Sequence, residues 1–180
     1  MKNSHQKQKG SKDINSVYDA TARALSDNKI SSVNESGITI KDSVSNNIII
    51  FNSENKDIDY HSREIVDFAS LSLRFTNNEV FNKYLPQDKY EIEVFKIINA
   101  ARSIAIGTRK FIGCKLNLDK IIQNSDVLFN KANDKSFLET HSLIFKYFFK
   151  NFSNEKNKYS KSFTKSFPNL PLSLLDELNN

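Results

Sequence analysis

Three cations at the end of one predicted helix are the residues best placed to bind a ligand or a partner. Arg102 and Arg109 are seven residues apart, and Lys110 follows directly. Seven residues make two helical turns, so the two guanidinium groups are expected on one face, about 10 Å apart. Arginine binds carboxylates through paired hydrogen bonds. The spacing suits a stripe that binds an acidic partner, and the solvated face of an amphipathic helix is the favoured interpretation.

Arg63 and Asp67 are a second candidate pair. They are four residues apart, which places them on one face of a helix. An exposed pair of this kind contributes only about 0.3–0.5 kcal/mol to stability. A local ion pair is the favoured interpretation, and a role in partner binding is the alternative.

Metal binding and catalysis are poorly supported by the sequence. Asp57, Asp59 and His61 alternate like ligands on a strand, but they lie at the start of a predicted helix, where the helix dipole favours acidic residues and neighbouring side chains diverge. His141 falls on an apolar helical stripe and is expected to be a core histidine. Cys114, the single cysteine, is expected to be a small buried hydrophobe. The four glycines are isolated, so no phosphate-binding loop is predicted. We therefore expect no catalytic residue, metal ligand or cofactor site in this chain.

A lysine-rich and aromatic tract covers residues 146–165, with Glu155 as its only acidic residue. Such tracts bind single-stranded nucleic acid through charge and stacking. The favoured alternative is the end of a core helix followed by a solvated linker, which makes nucleic acid an unfavoured partner.

These residues must be positioned by a mainly helical domain. Apolar spacing of three and four residues predicts helices over 14–26, 57–75, 79–85, 89–112, 116–129 and 137–152. Three β-prone runs, Ile30–Val33, Ile38–Lys41 and Asn47–Phe51, predict a small antiparallel meander. The expected fold class is α+β, mainly α, with a helical bundle packed against this meander or hairpin.

Domain boundaries and two glycines complete the predicted layout. Residues 1–12 are expected to be a disordered tail, 13–152 the helical domain, and 153–180 a polar linker with a short helix after Pro171. Gly107, in the middle of a helix, predicts a close approach of a neighbouring element. Gly113 predicts the C-cap of the helix that precedes it.

Composition limits the classes of protein to consider. A chain of 180 residues fits one domain, and its net charge of +5 comes mostly from lysine, which is weak evidence for any partner. One cysteine excludes a disulfide framework. No segment has the roughly 20 apolar residues of a membrane span, and the N-terminus lacks the apolar part of a secretory signal. The cytoplasm is the expected location.

The run AARSIAIGTRK over residues 100–110 resembles the QAR-x-x-AIG-x-R-R stretch of the CobT-type subunit of aerobic cobaltochelatase. Further matches follow in the same order and spacing across residues 14–150. Ala22-Arg23-Ala24-Leu25 matches the family's VRAI, and Lys83-Tyr84-Leu85-Pro86 matches its K-L-x-P. The family's R-x-x-AD-x-x-AL-x-L helix is matched at Arg63, Asp67, Leu71 and Leu73. Its GV-x-x-NL is matched at Gly113 and at Asn117-Leu118.

The chain departs from the family pattern at several positions. The family's His-Asp pair is Thr76-Asn77 here, the Glu before its QAR is Asn99, and a second Glu is Ile104. The family continues into a von Willebrand A-type domain with a D-x-S-x-S metal site. Asp42-Ser43-Val44-Ser45 has Val at a hydroxyl ligand position, so it cannot supply that site. The chain is therefore expected to be similar to the N-terminal part of such a subunit, in truncated form.

The resemblance implies an accessory role in cobalamin biosynthesis. In the family, this subunit assembles with a CobS-type AAA+ ATPase and a CobN-type large subunit that inserts cobalt into hydrogenobyrinic acid a,c-diamide. The complex uses ATP, Mg and cobalt, while no cofactor and no catalytic residue is expected here. The expected partner-binding residues are Arg102, Arg109, Lys110, Arg63 and Asp67, with a corrinoid carboxylate as the other possible ligand of the arginines. The alternatives are a degenerate remnant of the subunit and a small basic interaction or RNA-binding protein.

Overall fold

The computed structural model describes residues 16–34, 37–40, 62–123, 135–154, 156 and 158–168. These ranges form seven helices and a two-stranded antiparallel sheet, so the predicted fold class is confirmed. In chain order the elements are α1 (16–25), β1 (Ile30–Asn34), β2 (Gly37–Ile40), α2 (Arg63–Phe75), α3 (Asn78–Lys83), α4 (Lys89–Lys110), α5 (Ile112–Gln123), α6 (Lys135–Phe152) and α7 (Ser160–Ser166).

Short polar side chains fix the starts of three helices. Ser62 accepts a hydrogen bond from the backbone amide of Ile65 at the start of α2. Asn77 and Asp88 accept from the first amides of α3 and α4 in the same way. Such N-caps satisfy amides that have no partner within the helix. The cap at Ser62 explains why α2 begins at Arg63, whereas apolar periodicity predicts a start near Asp57.

The end of α4 differs from the prediction. The helix ends at Lys110 with Phe111 as its C-cap, and the Phe111 amide donates to the carbonyl of Gly107 at 2.8 Å. Gly113, predicted to be this C-cap, instead lies in the first turn of α5. The Phe111 ring packs 6.4 Å from the Phe75 ring, and this contact holds the chain at the junction without a glycine.

The main core lies between α2, α4, α5 and α6. Phe68 and Phe145 are completely buried there, with ring centroids 5.9 Å apart. Gly107 allows α2 and α4 to come close, because a Cβ at this position would lie 2.7 Å from Cδ1 of Leu71. The prediction that Gly107 serves packing is confirmed.

A second, smaller core joins α1, the hairpin and α2. It consists of Ala22, Ile30, Val33, Val66 and Leu73. The hairpin pairs Ile30 with Ile40 and Asn34 with Gly37. Because an isolated two-stranded hairpin is marginally stable, these contacts are what hold it to the helices.

The segment after α6 differs from the predicted polar linker. Residues 160–166 form α7, and Phe163 is buried with its ring stacked 3.9 Å from that of Tyr147 on α6. One buried aromatic residue in an otherwise polar heptapeptide attaches this helix, which explains why periodicity does not predict it.

Some predictions lie outside the described residues. They are the tail 1–12, the third strand Asn47–Phe51, the group Asp57, Asp59 and His61, and the short helix after Pro171.

Candidate functional site

The five predicted partner-binding residues fall into two separate groups. Arg63 and Asp67 lie in the first turns of α2, whereas Arg102 contacts the last residue of that helix, Phe75. Eight residues separate Asp67 from Phe75, which corresponds to about 12 Å along the helix axis. The structure therefore does not unite all five residues in one site.

The first group is a buried polar cluster built around Asp67, whose side chain is fully buried. Arg63 donates from Nε to Oδ1 of Asp67 at 2.7 Å, and Asn117 on α5 donates from Nδ2 to Oδ2 at 2.9 Å. Arg63 also donates to the hydroxyl of Thr21 on α1 at 3.3 Å. A buried carboxylate requires such partners. The predicted local ion pair is confirmed, and it links three helices.

Cys114 lies beside this cluster and is buried. Burial, followed by the negative charge of Asp67, raises the pKa of the Cys114 thiol to about 11. The thiol therefore stays protonated near neutral pH, and a thiol is a much weaker nucleophile than a thiolate. The expectation that Cys114 behaves as a small buried hydrophobe is confirmed for its burial, and its pKa argues against a nucleophilic role.

The second group surrounds the C-terminal end of α2. Arg102 donates from Nη2 to the carbonyl oxygen of Phe75 at 2.8 Å and to Oδ1 of Asn99 at 3.3 Å. The side chain is half-buried, and burial lowers the pKa of its guanidinium. Arg102 thus caps a helix end whose carbonyls lack partners within the helix. The sequence does not predict this capping role for Arg102.

Sequence reasoning missed two further cations at the same helix end. Lys29 donates from Nζ to the carbonyl oxygen of Leu73 at 2.8 Å. Arg74 donates from Nη1 to the carbonyl oxygens of Ala24 at 3.0 Å and Leu25 at 3.3 Å. Arg74 could have been suspected, because a basic residue in the last turn of a helix complements its dipole. Lys29 carries no such signal.

The last turn of α4 completes the cationic group. Lys110 is exposed, with Nζ 5.4 Å from the centre of the Phe75 ring, and its neighbour Arg109 is exposed as well. Arg74 lies over the adjoining Phe111 ring at 5.2 Å. We call these cations the cationic rim; it comprises Lys29, Arg74, Arg102, Arg109 and Lys110.

An open groove of about 620 Å³ adjoins the rim. Its lining combines two rim cations, one ring, short polar side chains and one carboxylate, namely Lys29, Arg74, Phe75, Thr76, Asn77, Asn78 and Glu79. The groove is suited to hydrogen bonding and charge pairing rather than to enclosing a small apolar ligand.

The lysine-rich tract presents its aromatic rings to the core. Tyr147, Phe148, Phe149 and Phe163 are all buried, and Phe148 meets Phe163 edge to face at 5.9 Å. Rings in these positions cannot stack on bases, and Phe152 and Tyr159 of the same tract are half-buried, which weakens the aromatic part of the argument for nucleic-acid binding.

His141 is buried on α6, as predicted for a core histidine, with Nε2 4.0 Å from a carboxylate oxygen of Glu93 on α4. Over the described ranges, no group of three His, Cys, Asp or Glu side chains could hold a metal ion. Within the same part of the chain, no helix combines the length and apolar composition needed to cross a bilayer.

Comparisons of the chain with protein-family models, curated proteins and solved structures gave no match. The likeness to the CobT-type subunit therefore stays a prediction from the sequence.

Proposed function

We propose that this chain is a CobT-like accessory subunit of an ATP-dependent cobaltochelatase. In that role it assists cobalt insertion into hydrogenobyrinic acid a,c-diamide, in the cytoplasm, by binding a CobS-type AAA+ ATPase and a CobN-type large subunit. It acts as a scaffold: cobalt, the substrate ion, and the corrinoid are handled by the large subunit, and ATP by the ATPase.

The observation that carries this proposal is the contact between separately matched segments. Asp67, from one matched stretch, accepts a hydrogen bond from Asn117 in another, 50 residues later. Leu71 packs directly against Gly107, which belongs to a third. These matched positions form contacts that join α2 to α4 and α5, as expected if the resemblance reflects a shared packing arrangement.

Co-purification with the ATPase tests the proposal. Tagged full-length chain is incubated with the host's CobS-type ATPase, with and without ATP-Mg, at moderate salt. We expect specific retention of this ATPase and no retention of an unrelated AAA+ ATPase from the same host, which serves as the control. Absence of retention, with the chain shown by circular dichroism to be folded, would refute the scaffold function.

A further inference from the structure

The cationic rim concentrates positive charge in one place. Five cations surround the last turns of α2 and α4, and none of them forms an ion pair with a described carboxylate. The C-terminal end of a helix offers about half a negative charge. Among the described residues, two helix ends and Glu79 in the adjoining groove offset only part of this positive charge, which favours an anionic partner.

Backbone contacts hold three of these cations in place. Lys29, Arg74 and Arg102 each donate to carbonyl oxygens at the end of α1 or α2. Both bonds of Arg74 come from Nη1, and both bonds of Arg102 come from Nη2. Each guanidinium carries five N–H donors, so further donors remain for a carboxylate. Side chains that are already ordered lose less entropy when they bind.

The shape and polarity of the adjoining groove suit a polypeptide. The groove is open, and Asn77 and Asn78 in its lining carry side-chain amide groups that a peptide backbone can use. Nucleic acid fits less well. The Phe75 and Phe111 rings carry Lys110 and Arg74 over their faces and are therefore not free to stack on bases.

We propose that the cationic rim binds an acidic segment of a partner protein. Carboxylates of that segment pair with Arg109 and Lys110 at the exposed side of the rim and with the remaining donors of Arg74, while the segment's backbone lies along the groove. This inference deepens the proposed function, because it assigns the docking face and the charge of the segment that the accessory subunit recognises.

Fluorescence anisotropy tests the rim directly. The probe is a labelled 12-residue peptide of alternating Glu and Ser, titrated with the full chain at low salt. A matched peptide with Gln for Glu and a single-stranded RNA of 12 nucleotides are titrated in parallel. We expect the acidic peptide to bind most tightly. Arg109→Gln with Lys110→Gln should raise its Kd about tenfold, because both residues are exposed and can be changed without disturbing the core.

A matched pair on α7 provides the control. Lys161→Gln with Lys165→Gln removes the same charge from two exposed residues away from the rim, and should change Kd less than twofold. The inference is overturned if the α7 pair weakens binding as much as the rim pair, if RNA binds more tightly than the peptide, or if the acidic peptide does not bind. The two proposals fail separately: equal retention of the ATPase by wild type and by the rim variant excludes this face but keeps the scaffold, whereas no retention by folded wild type refutes the scaffold function.

Discussion

Asp67 is the residue on which the junction of α1, α2 and α5 depends. Its carboxylate is fully buried and accepts from Arg63 and Asn117, so neither oxygen is left unpaired. Because Arg63 is partly exposed, solvent screens its charge. The cluster stabilises the domain rather than serving as a surface for partners.

Asp67→Asn tests this role. The amide keeps the shape of the side chain but turns one acceptor into a donor facing Asn117. We expect the free energy of unfolding to fall by about 1–3 kcal/mol, as for lost hydrogen bonds to a charged group. Urea denaturation followed by circular dichroism measures the change. Asp119→Asn, a half-buried position on α5, is the control and should change stability by less than about 0.5 kcal/mol.

An unchanged stability of Asp67→Asn would contradict the assigned role. It would mean that the cluster around Asp67 does not link the three helices energetically.

At the scale of elements, the approach of α2 to α4 determines the main core. Leu71 lies against the backbone of Gly107, and a Cβ there would approach three Leu71 carbon atoms at 2.7 to 3.1 Å. One of these is the Cβ of Leu71, which cannot move without its helix. The two helices must therefore separate if position 107 gains a side chain.

Gly107→Ala is expected to lower the free energy of unfolding by about 1–3 kcal/mol, because overpacking outweighs the better helix propensity of alanine. Gly113→Ala is the matched control: it adds the same methyl group to a helix where nothing lies within 4 Å. We expect it to be neutral or to stabilise by up to about 1 kcal/mol. Thermal or urea unfolding of both variants checks the pair, and equal effects at the two positions would contradict the packing argument.

The periodicity of the sequence was enough to predict the long helices, because α4 and α6 bury continuous apolar stripes. It could not predict α7, which depends on the single buried residue Phe163. It also misplaced the end of α4, since Gly113 looks like a C-cap while the actual end is fixed by a ring contact between Phe111 and Phe75. The local sequence pattern around a helix end does not predict a contact with a ring on another helix.

The candidate site was predictable only in part, for the same reason. Arg109 and Lys110 are exposed at the end of α4, as the sequence implies. Lys29 and Arg74 join them through bonds to residues 44 to 50 positions away. Arg63 and Asp67 do not belong to the site, because tertiary packing buries Asp67 in a separate cluster. Short-range spacing specifies the face of a helix, whereas the grouping of cations around a helix end depends on the fold.

At the scale of the whole molecule, the two cores, the Asp67 cluster and the cationic rim have different roles. The cores and the Asp67 cluster hold the helices together, and the lysine-rich tract contributes its rings to the interior. Among the described residues, the cationic rim combines cations that have no ion pair with an open groove beside them. We propose that this rim is the docking face and that a CobS-type ATPase binds there.

Hydrogen–deuterium exchange of the full chain, alone and with saturating CobS-type ATPase and ATP-Mg, tests that claim most directly. The account predicts slower exchange at the ends of α2 and α4, over residues 74–77 and 107–111, and unchanged exchange in α7. Unchanged exchange at both helix ends, or protection confined to α6 and α7, would contradict it.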